Sequence, residues 1–175
     1  MTGADKMKNI TLIGMPASGK STVGVILAKL IGYNFLDTDI LLALKQGRPL
    51  SEIITQDGYD KFIEFEGLVG KSIKTDKTVI ATGGSMVFSE NAMKALSKDG
   101  TLVWLDVPVS ELEKRLVGTL LERGVATPKA MTLAEVYEMR EPLYRKYADF
   151  RLPCEGSTEL TARALRDLLQ REKLI

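Results

Sequence analysis

The run Gly14-Met15-Pro16-Ala17-Ser18-Gly19-Lys20-Ser21 carries the spacing G-x-x-x-x-G-K-[ST] in full. Glycines at these places let successive backbone N–H groups turn toward one point, and the helix that begins there adds its positive dipole end. Such a cradle suits the β- and γ-phosphates of ATP. Lys20, expected to face solvent at the ligand site, would neutralise their charge, and the Ser21 hydroxyl would ligate Mg²⁺. Gly14, Ala17, Ser18, Gly19, Lys20, Ser21 and Thr22 are thus the candidate nucleotide contacts. An ordinary glycine-rich turn would need neither all four fixed positions nor the apolar run Ile10–Ile13 before it and the helical stretch Ser21–Leu30 after it.

A second group of chemistry-bearing residues follows in Leu36-Asp37-Thr38-Asp39, two carboxylates two residues apart at the end of an apolar run. Open α/β sheets bind ligands at the carboxyl edge of their strands. Asp37 could hold Mg²⁺ through water, and Asp39 could accept a hydrogen bond from an attacking hydroxyl. The plainer alternative is that Asp39 only N-caps a helix over Ile40–Lys45.

These residues need a scaffold, and the chain supplies one. Apolar, β-branched runs at Ile10–Ile13, Tyr33–Leu36, Thr78–Ala81, Leu102–Leu105 and, more weakly, Asp149–Leu152 alternate with helical patterns. That alternation predicts a five-stranded parallel sheet with helices on both faces, in one α/β domain over residues 1–175. Ser110 with Glu113 and Thr132 with Glu135 have capping-box spacing, and Gly32 and Gly47 suit helix ends. Residues 117–131 hold two glycines and a proline without a clean period, as expected of a lid.

Composition narrows the chemistry. The chain has 175 residues, 24 Lys and Arg against 23 Asp and Glu, one cysteine and no histidine. The near-neutral balance argues against nucleic-acid or membrane binding through bulk charge. Without histidine, the usual general base and the commonest metal ligand are both missing, so catalysis must rest on carboxylates, cations and backbone amides. No signal-peptide pattern or membrane-length apolar run is present, so a cytoplasmic location is expected. A guanine-reading N-K-x-D signature is absent and a motor ATPase usually needs more chain, which leaves a small kinase as the best class.

Five motifs in order give the chain a clear likeness. Gly14–Thr22 with Gly24, Asp37-Thr38-Asp39, Gly47-Arg48-Pro49-Leu50-Ser51-Glu52-Ile53-Ile54, Ala81-Thr82-Gly83-Gly84, and Arg140-Glu141-Pro142-Leu143-Tyr144 with Tyr147-Ala148-Asp149 resemble the shikimate kinase family over nearly the whole length. The resemblance implies a P-loop fold of the nucleoside-monophosphate-kinase type, with an acceptor-binding region over about 38–75 and a lid over about 117–131. It implies Mg·ATP as phosphoryl donor, a monomer, and a small acceptor with a hydroxyl and a carboxylate. By the same likeness Asp39 would hold the acceptor hydroxyl, and Gly83 and Gly84 would offer backbone amides. Arg140 would pair with the carboxylate, Arg123 would come over the ATP phosphates, and Pro153 would open the adenine-contacting stretch.

Three positions depart from that family's pattern, all on the acceptor or lid side. Phe62-Ile63-Glu64-Phe65-Glu66 stands where the family has F-R-x-x-E, so Ile63 replaces a carboxylate-binding arginine. Ser85 occupies the third place of a glycine triplet. Arg123-Gly124-Val125-Ala126 stands where the lid has R-P-L-L. Two readings stay open: phosphorylation of shikimate with Arg140 and a cation such as Lys61 on its carboxylate, or a retuned pocket for another hydroxy acid, amino alcohol or sugar acid. A third, of a different class, is an ATP-binding regulatory module, against which the retained Asp39, Arg123 and Arg140 argue.

Overall fold

The computed structural model of the chain describes residues 8–116, 120–122 and 124–175. Its strands are β1 (Asn9–Ile13), β2 (Asn34–Asp37), β3 (Thr78–Ala81), β4 (Gly100–Asp106) and β5 (Phe150–Pro153). The helices are α1 (Lys20–Ile31), α2 (Thr38–Gln46), α3 (Leu50–Ser72), α4 (Glu90–Asp99), α5 (Val109–Arg115), α6 (Leu133–Tyr147) and α7 (Thr158–Arg171), with a 3₁₀ turn at Met86–Phe88.

All five strands run parallel in the order β2-β3-β1-β4-β5. Every residue of β1, β3 and β4 is buried, because helices cover both faces of the sheet, and these strands therefore read as largely apolar runs without alternation. β5, at the edge, alternates half-buried and exposed residues, which is why its sequence signal is weak. β1 sits between β3 and β4, with Ile10 opposite Val79 on one side and Thr101 on the other. Connections leave β1 toward one edge and return to the other, so a crevice opens beyond its carboxyl end.

The main core gathers Leu12, Val23, Leu27, Ile80, Val103, Leu165 and Leu169 around the sheet. A smaller apolar cluster of Leu42, Ile53, Phe62, Val69 and Ala126 joins α2 and α3 to the segment before α6. The backbone of α3 breaks at Gly58, whose φ of 83° divides it into two helical pieces.

Helix ends follow local chemistry with one exception. Gly32 and Gly47 close α1 and α2, and Thr132 forms a full capping box with Glu135. The Ser110–Glu113 spacing does not cap. Pro108 precedes α5, which begins at Val109, so Ser110 lies inside the first turn. The fixed backbone angle of proline suits a helix entrance and lets the helix start early. No helix of the described residues is long and apolar enough to cross a membrane.

Candidate active site

The cradle begins where β1 ends. Gly14 has a φ of 145°, and a Cβ there would lie 2.7 Å from the Leu105 carbonyl oxygen, so a side chain is refused by both conformation and space. Gly19, at φ 90°, turns the chain into α1. Ala17 adopts a φ of 61°, a region that non-glycine residues enter at a cost and that recurs at ligand-gripping turns.

Lys20 departs from the expected solvent-facing position. Only 7% exposed, its ammonium donates to the carbonyl oxygens of Gly14 (2.9 Å) and Met15 (2.7 Å) and to Ser18 Oγ (3.3 Å). All three ammonium donors are thus engaged by the loop that the lysine serves. Burial lowers its pKa from 10.5 to about 8, with the Asp39 carboxylate opposing the shift.

From α1 the Ser21 hydroxyl donates to Asp37 Oδ2 at 2.5 Å. Asp37 is the N-cap of α2, its Oδ1 accepting the backbone N–H of Asp39 at 2.9 Å. The capping job therefore falls to Asp37, and Asp39 lies in the first turn with its side chain in the cleft wall. Burial, and next the charge of Asp37, push Asp39 up from 3.8 to about 6; Lys20 and Arg140 act the other way.

Lys20, Ser21 and Asp39 line a cleft of about 390 Å³, bounded also by the turn after β3 and by α3 and α6. Thr38 Oγ1 accepts the backbone N–H of Gly83 (2.9 Å), which locks that turn against α2. A Cβ at Gly83 would lie 2.1 Å from Glu66 Oε1 and 2.6 Å from Asp39 Oδ1, so two carboxyls converge beside it. A Cβ at Gly84 would lie 2.8 Å from Arg140 Nη1. Arg140 is 1% exposed; its Nη2 donates to the Ala126 carbonyl at 2.7 Å, and its guanidinium stands over the Phe88 ring, 5.8 Å from the centroid. Among the described residues its Nε finds no hydrogen-bond partner. An unpaired buried donor is costly, and this one belongs to a residue of the cleft wall.

Two cleft residues were not singled out from sequence. Glu66, on α3, is 2% exposed and accepts a close hydrogen bond from Ser85 Oγ. Burial, then the Asp39 carboxylate, push it up from 4.5 to about 8. Arg115 ends α5 in the cleft wall, with Nη2 donating to the Gly156 carbonyl at 3.3 Å, next to the stretch that Pro153 opens at the end of β5. The available signal for Glu66 was its place at the E of the F-R-x-x-E pattern; Arg115 carried none beyond its place in a last helical turn.

Other expected positions stand apart. Ile63 is half-buried against the apolar cluster of Leu42 and Phe62 and is not in the cleft wall. Lys61 is exposed and pairs with Glu64 at 2.8 Å. Arg123 lies outside the described residues. Its neighbours Gly124 and Val125 do reach the cleft, and Gly124 packs against Leu50.

Oxygen donors from Ser21 and Asp37, adjacent and near the cradle, are the hard ligands that a small divalent cation takes. Among the described residues no group of three or more Asp, Glu or Cys could hold a metal alone. A cation here would draw its remaining ligands from phosphate and water, which is the habit of Mg²⁺ in nucleotide sites.

Known proteins share this plan. The shikimate kinase family model matches residues 16–170. The shikimate kinase of Persephonella marina is 31% identical over 153 residues, covering 87% of this chain and 92% of that protein. That of Thermodesulfovibrio yellowstonii is 38% identical over 157 residues, covering 87% and 88%. The solved structure of shikimate kinase from Acinetobacter baumannii in complex with shikimate superposes with a TM-score of 0.82 at 28% identity, covering 98% of this chain and 97% of that one. The chain belongs to the shikimate kinase family and is an ATP-dependent phosphotransferase.

Proposed function

We propose that this chain transfers the γ-phosphate of Mg·ATP to a hydroxyl of shikimate or of a small hydroxy acid built like it. The observation that carries the reading is that Asp39, Arg140 and the phosphate cradle share one cleft. The loop amides, with Lys20 exchanging its carbonyl partners for phosphate oxygens, hold the donor. Asp39 takes the acceptor hydroxyl and orients it, drawing off its proton as the oxygen attacks. Its elevated pKa suits it to hold that proton at a pH not far below neutral. Arg140, with Nη1 beside Gly84 in the cleft wall, offers its guanidinium to the acceptor carboxylate. Ser21 and Asp37 would hold Mg²⁺, which when bound neutralises charge on the phosphate oxygens. Arg123 would come over the phosphates with the segment around 117–131, while the Pro153 stretch and Arg115 flank the base. The working unit is a monomer in the cytoplasm.

A second reading rests on Ile63. With an aliphatic residue there and Lys61 paired outside the cleft, Arg140 is, among the described residues at the acceptor end, the cation left for a carboxylate, which favours an acceptor less dependent on that group, such as an amino alcohol, or one that presents its carboxylate to Arg140 alone, such as another hydroxy acid or a sugar acid. ADP release coupled to a dye, measured with shikimate and then with hydroxy acids, amino alcohols and sugar acids, separates the readings. Acceptor-dependent ADP release with shikimate as the best acceptor is expected. Release stimulated by no acceptor would leave the regulatory-module reading standing.

A further inference from the structure

Tyr144 joins the acceptor side of the cleft to the phosphate side, and the transfer chemistry gives it no part. It is wholly buried on α6, one helical turn beyond Arg140 and on the same face. Its hydroxyl donates to the Gly84 carbonyl at 2.7 Å, and the same oxygen lies 4.0 Å from Met15 Sδ. Gly84 belongs to the turn after β3 that walls the acceptor end, whereas Met15 belongs to the phosphate loop and its carbonyl holds the Lys20 ammonium. The two segments also meet directly, since a Cβ on Gly84 would lie 3.0 Å from Pro16 Cδ.

Three successive residues anchor that turn. Thr82 donates from its backbone and its hydroxyl to the Leu12 carbonyl, Gly83 donates to Thr38, and Gly84 accepts from Tyr144. The last of these bonds runs to the helix that carries Arg140. Burial pushes the phenol up to about 12, against the Arg140 charge, so it keeps its proton and stays a donor at neutral pH. A phenylalanine would fill the same space, and a buried tyrosine hydroxyl needs only some partner. What distinguishes this hydroxyl is that its partner is a residue of the cleft wall. Without it the Gly84 carbonyl turns to water and the turn is free to drift from Pro16. Transfer is steep in such a drift, since a displacement of about 1 Å costs on the order of 10²-fold.

We propose that Tyr144 is a positioning residue: its hydroxyl sets the acceptor turn at a fixed spacing from the phosphate loop, which keeps the γ-phosphate for the acceptor hydroxyl and away from water. This rests on the acceptor reading above and deepens it at the same site. When the spacing slackens, a water oxygen bonds the γ-phosphorus in place of the acceptor oxygen. The bond to the β–γ bridging oxygen breaks, and ADP, inorganic phosphate and a proton are released.

The test supplies the full chain with Mg·ATP and shikimate and measures ADP, inorganic phosphate and phosphorylated shikimate together. In the natural protein nearly every ADP should be matched by a phosphorylated shikimate. In Tyr144→Phe the kcat for shikimate should fall about tenfold with the KM for ATP held, and roughly half or more of the ADP should appear with inorganic phosphate. That fraction counts only molecules that turn over, so partial unfolding does not move it. Trp104→Phe is the comparison. The Trp104 ring stacks on Tyr144 with centroids 6.0 Å apart, so this change loosens the packing around the phenol and spares its hydroxyl, and ADP should stay matched to product. Full matching in Tyr144→Phe, equal leakage in Trp104→Phe, or a Tyr144→Phe chain with no folded fraction by circular dichroism would overturn the inference and leave the acceptor reading intact. No shikimate-dependent ADP release by the natural protein would overturn the acceptor reading and this inference together.

Discussion

Asp39→Asn should exchange activity for stability, and the stability gain should depend on pH in a way that traces to one carboxyl. In the folded chain Asp39 is raised from 3.8 to about 6, by burial first and the Asp37 charge second. A carboxyl with a raised pKa binds its proton more tightly folded than unfolded. Its contribution to stability is complete below about pH 4, is lost as the unfolded chain ionises ahead of the folded one, and is gone above about pH 6. Two units at about 1.4 kcal/mol each give a ceiling near 3 kcal/mol. Partial exposure of the side chain and the need to re-pair an amide reduce that to about 1–2 kcal/mol. At this chain length the melting midpoint should rise by about 3–6 °C at pH 8 and by about 1 °C at pH 4. Glu66 adds in the same direction, since Asp39 is the second cause of its own raised pKa. Turnover should meanwhile fall by about 10²- to 10⁴-fold with ATP affinity held, because the residue faces the acceptor. Differential scanning fluorimetry at the two pH values and coupled kinetics make the pair of measurements. An Asn variant that melts at or below the natural protein at pH 8, or that gains equally at both pH values, would refute the assignment of a strained, functional carboxyl. Weakened ATP affinity with normal turnover would instead exchange the roles of Asp37 and Asp39.

Lys20→Ala should cut turnover by at least about 10²-fold, since the lost charge acts in a closed site. At pH 7, below its lowered pKa of about 8, the buried ammonium costs the folded chain stability, so its removal relieves that cost while forfeiting three hydrogen bonds, and the melting midpoint should move by only a few degrees; near-normal kinase activity in the variant would remove the cradle assignment. Gly84→Ala puts a Cβ 2.8 Å from Arg140 Nη1, and because Nη2 is tied to the Ala126 carbonyl the guanidinium cannot simply swing away. Its acceptor KM should rise about tenfold with the KM for ATP unchanged, as for one lost charged hydrogen bond; equal rises in both would indicate general damage. Ile63→Arg should raise kcat/KM on shikimate by roughly 10- to 150-fold and lower it on a differently built true acceptor, and no gain combined with efficient shikimate turnover by the natural chain would end the retuned-pocket reading.

What could be read from the sequence divides by how far a residue must reach for its partner. The phosphate loop was legible because its geometry is made by neighbours along the chain: glycines at Gly14 and Gly19, a lysine and a serine at fixed spacing, then α1. β1, β3 and β4 were legible because burial on both faces leaves mostly apolar, β-branched residues, with polar ones chiefly at the strand ends. The Ser110–Glu113 spacing misled because Pro108 starts α5 early, a local competition that the capping pattern does not record. Lys20 was placed as a residue but not as a conformation. Its inward turn depends on carbonyls that face it only once the loop has closed. The hydrogen bond between Ser85 and Glu66 and the unpaired Nε of Arg140 were beyond reach of spacing arguments, since α3, the turn after β3 and α6 meet only in the folded chain.

That division follows the chemistry. Every phosphoryl donor of this kind presents the same phosphates, so one local loop suffices to bind them, and a short run of residues carries the full instruction. An acceptor differs from its competitors by a hydroxyl or a carboxylate placed a few ångströms away, and such differences can be read only by groups brought together from several elements. Ile63 shows how little sequence is needed to alter this end. It joins the apolar cluster under α2 and α3, and Ser85 holds the carboxyl three residues further along α3. Ser85 by itself accounts for the hydrogen bond found at Glu66, while Ile63, outside the cleft wall, changes what lies beneath the helix that carries it.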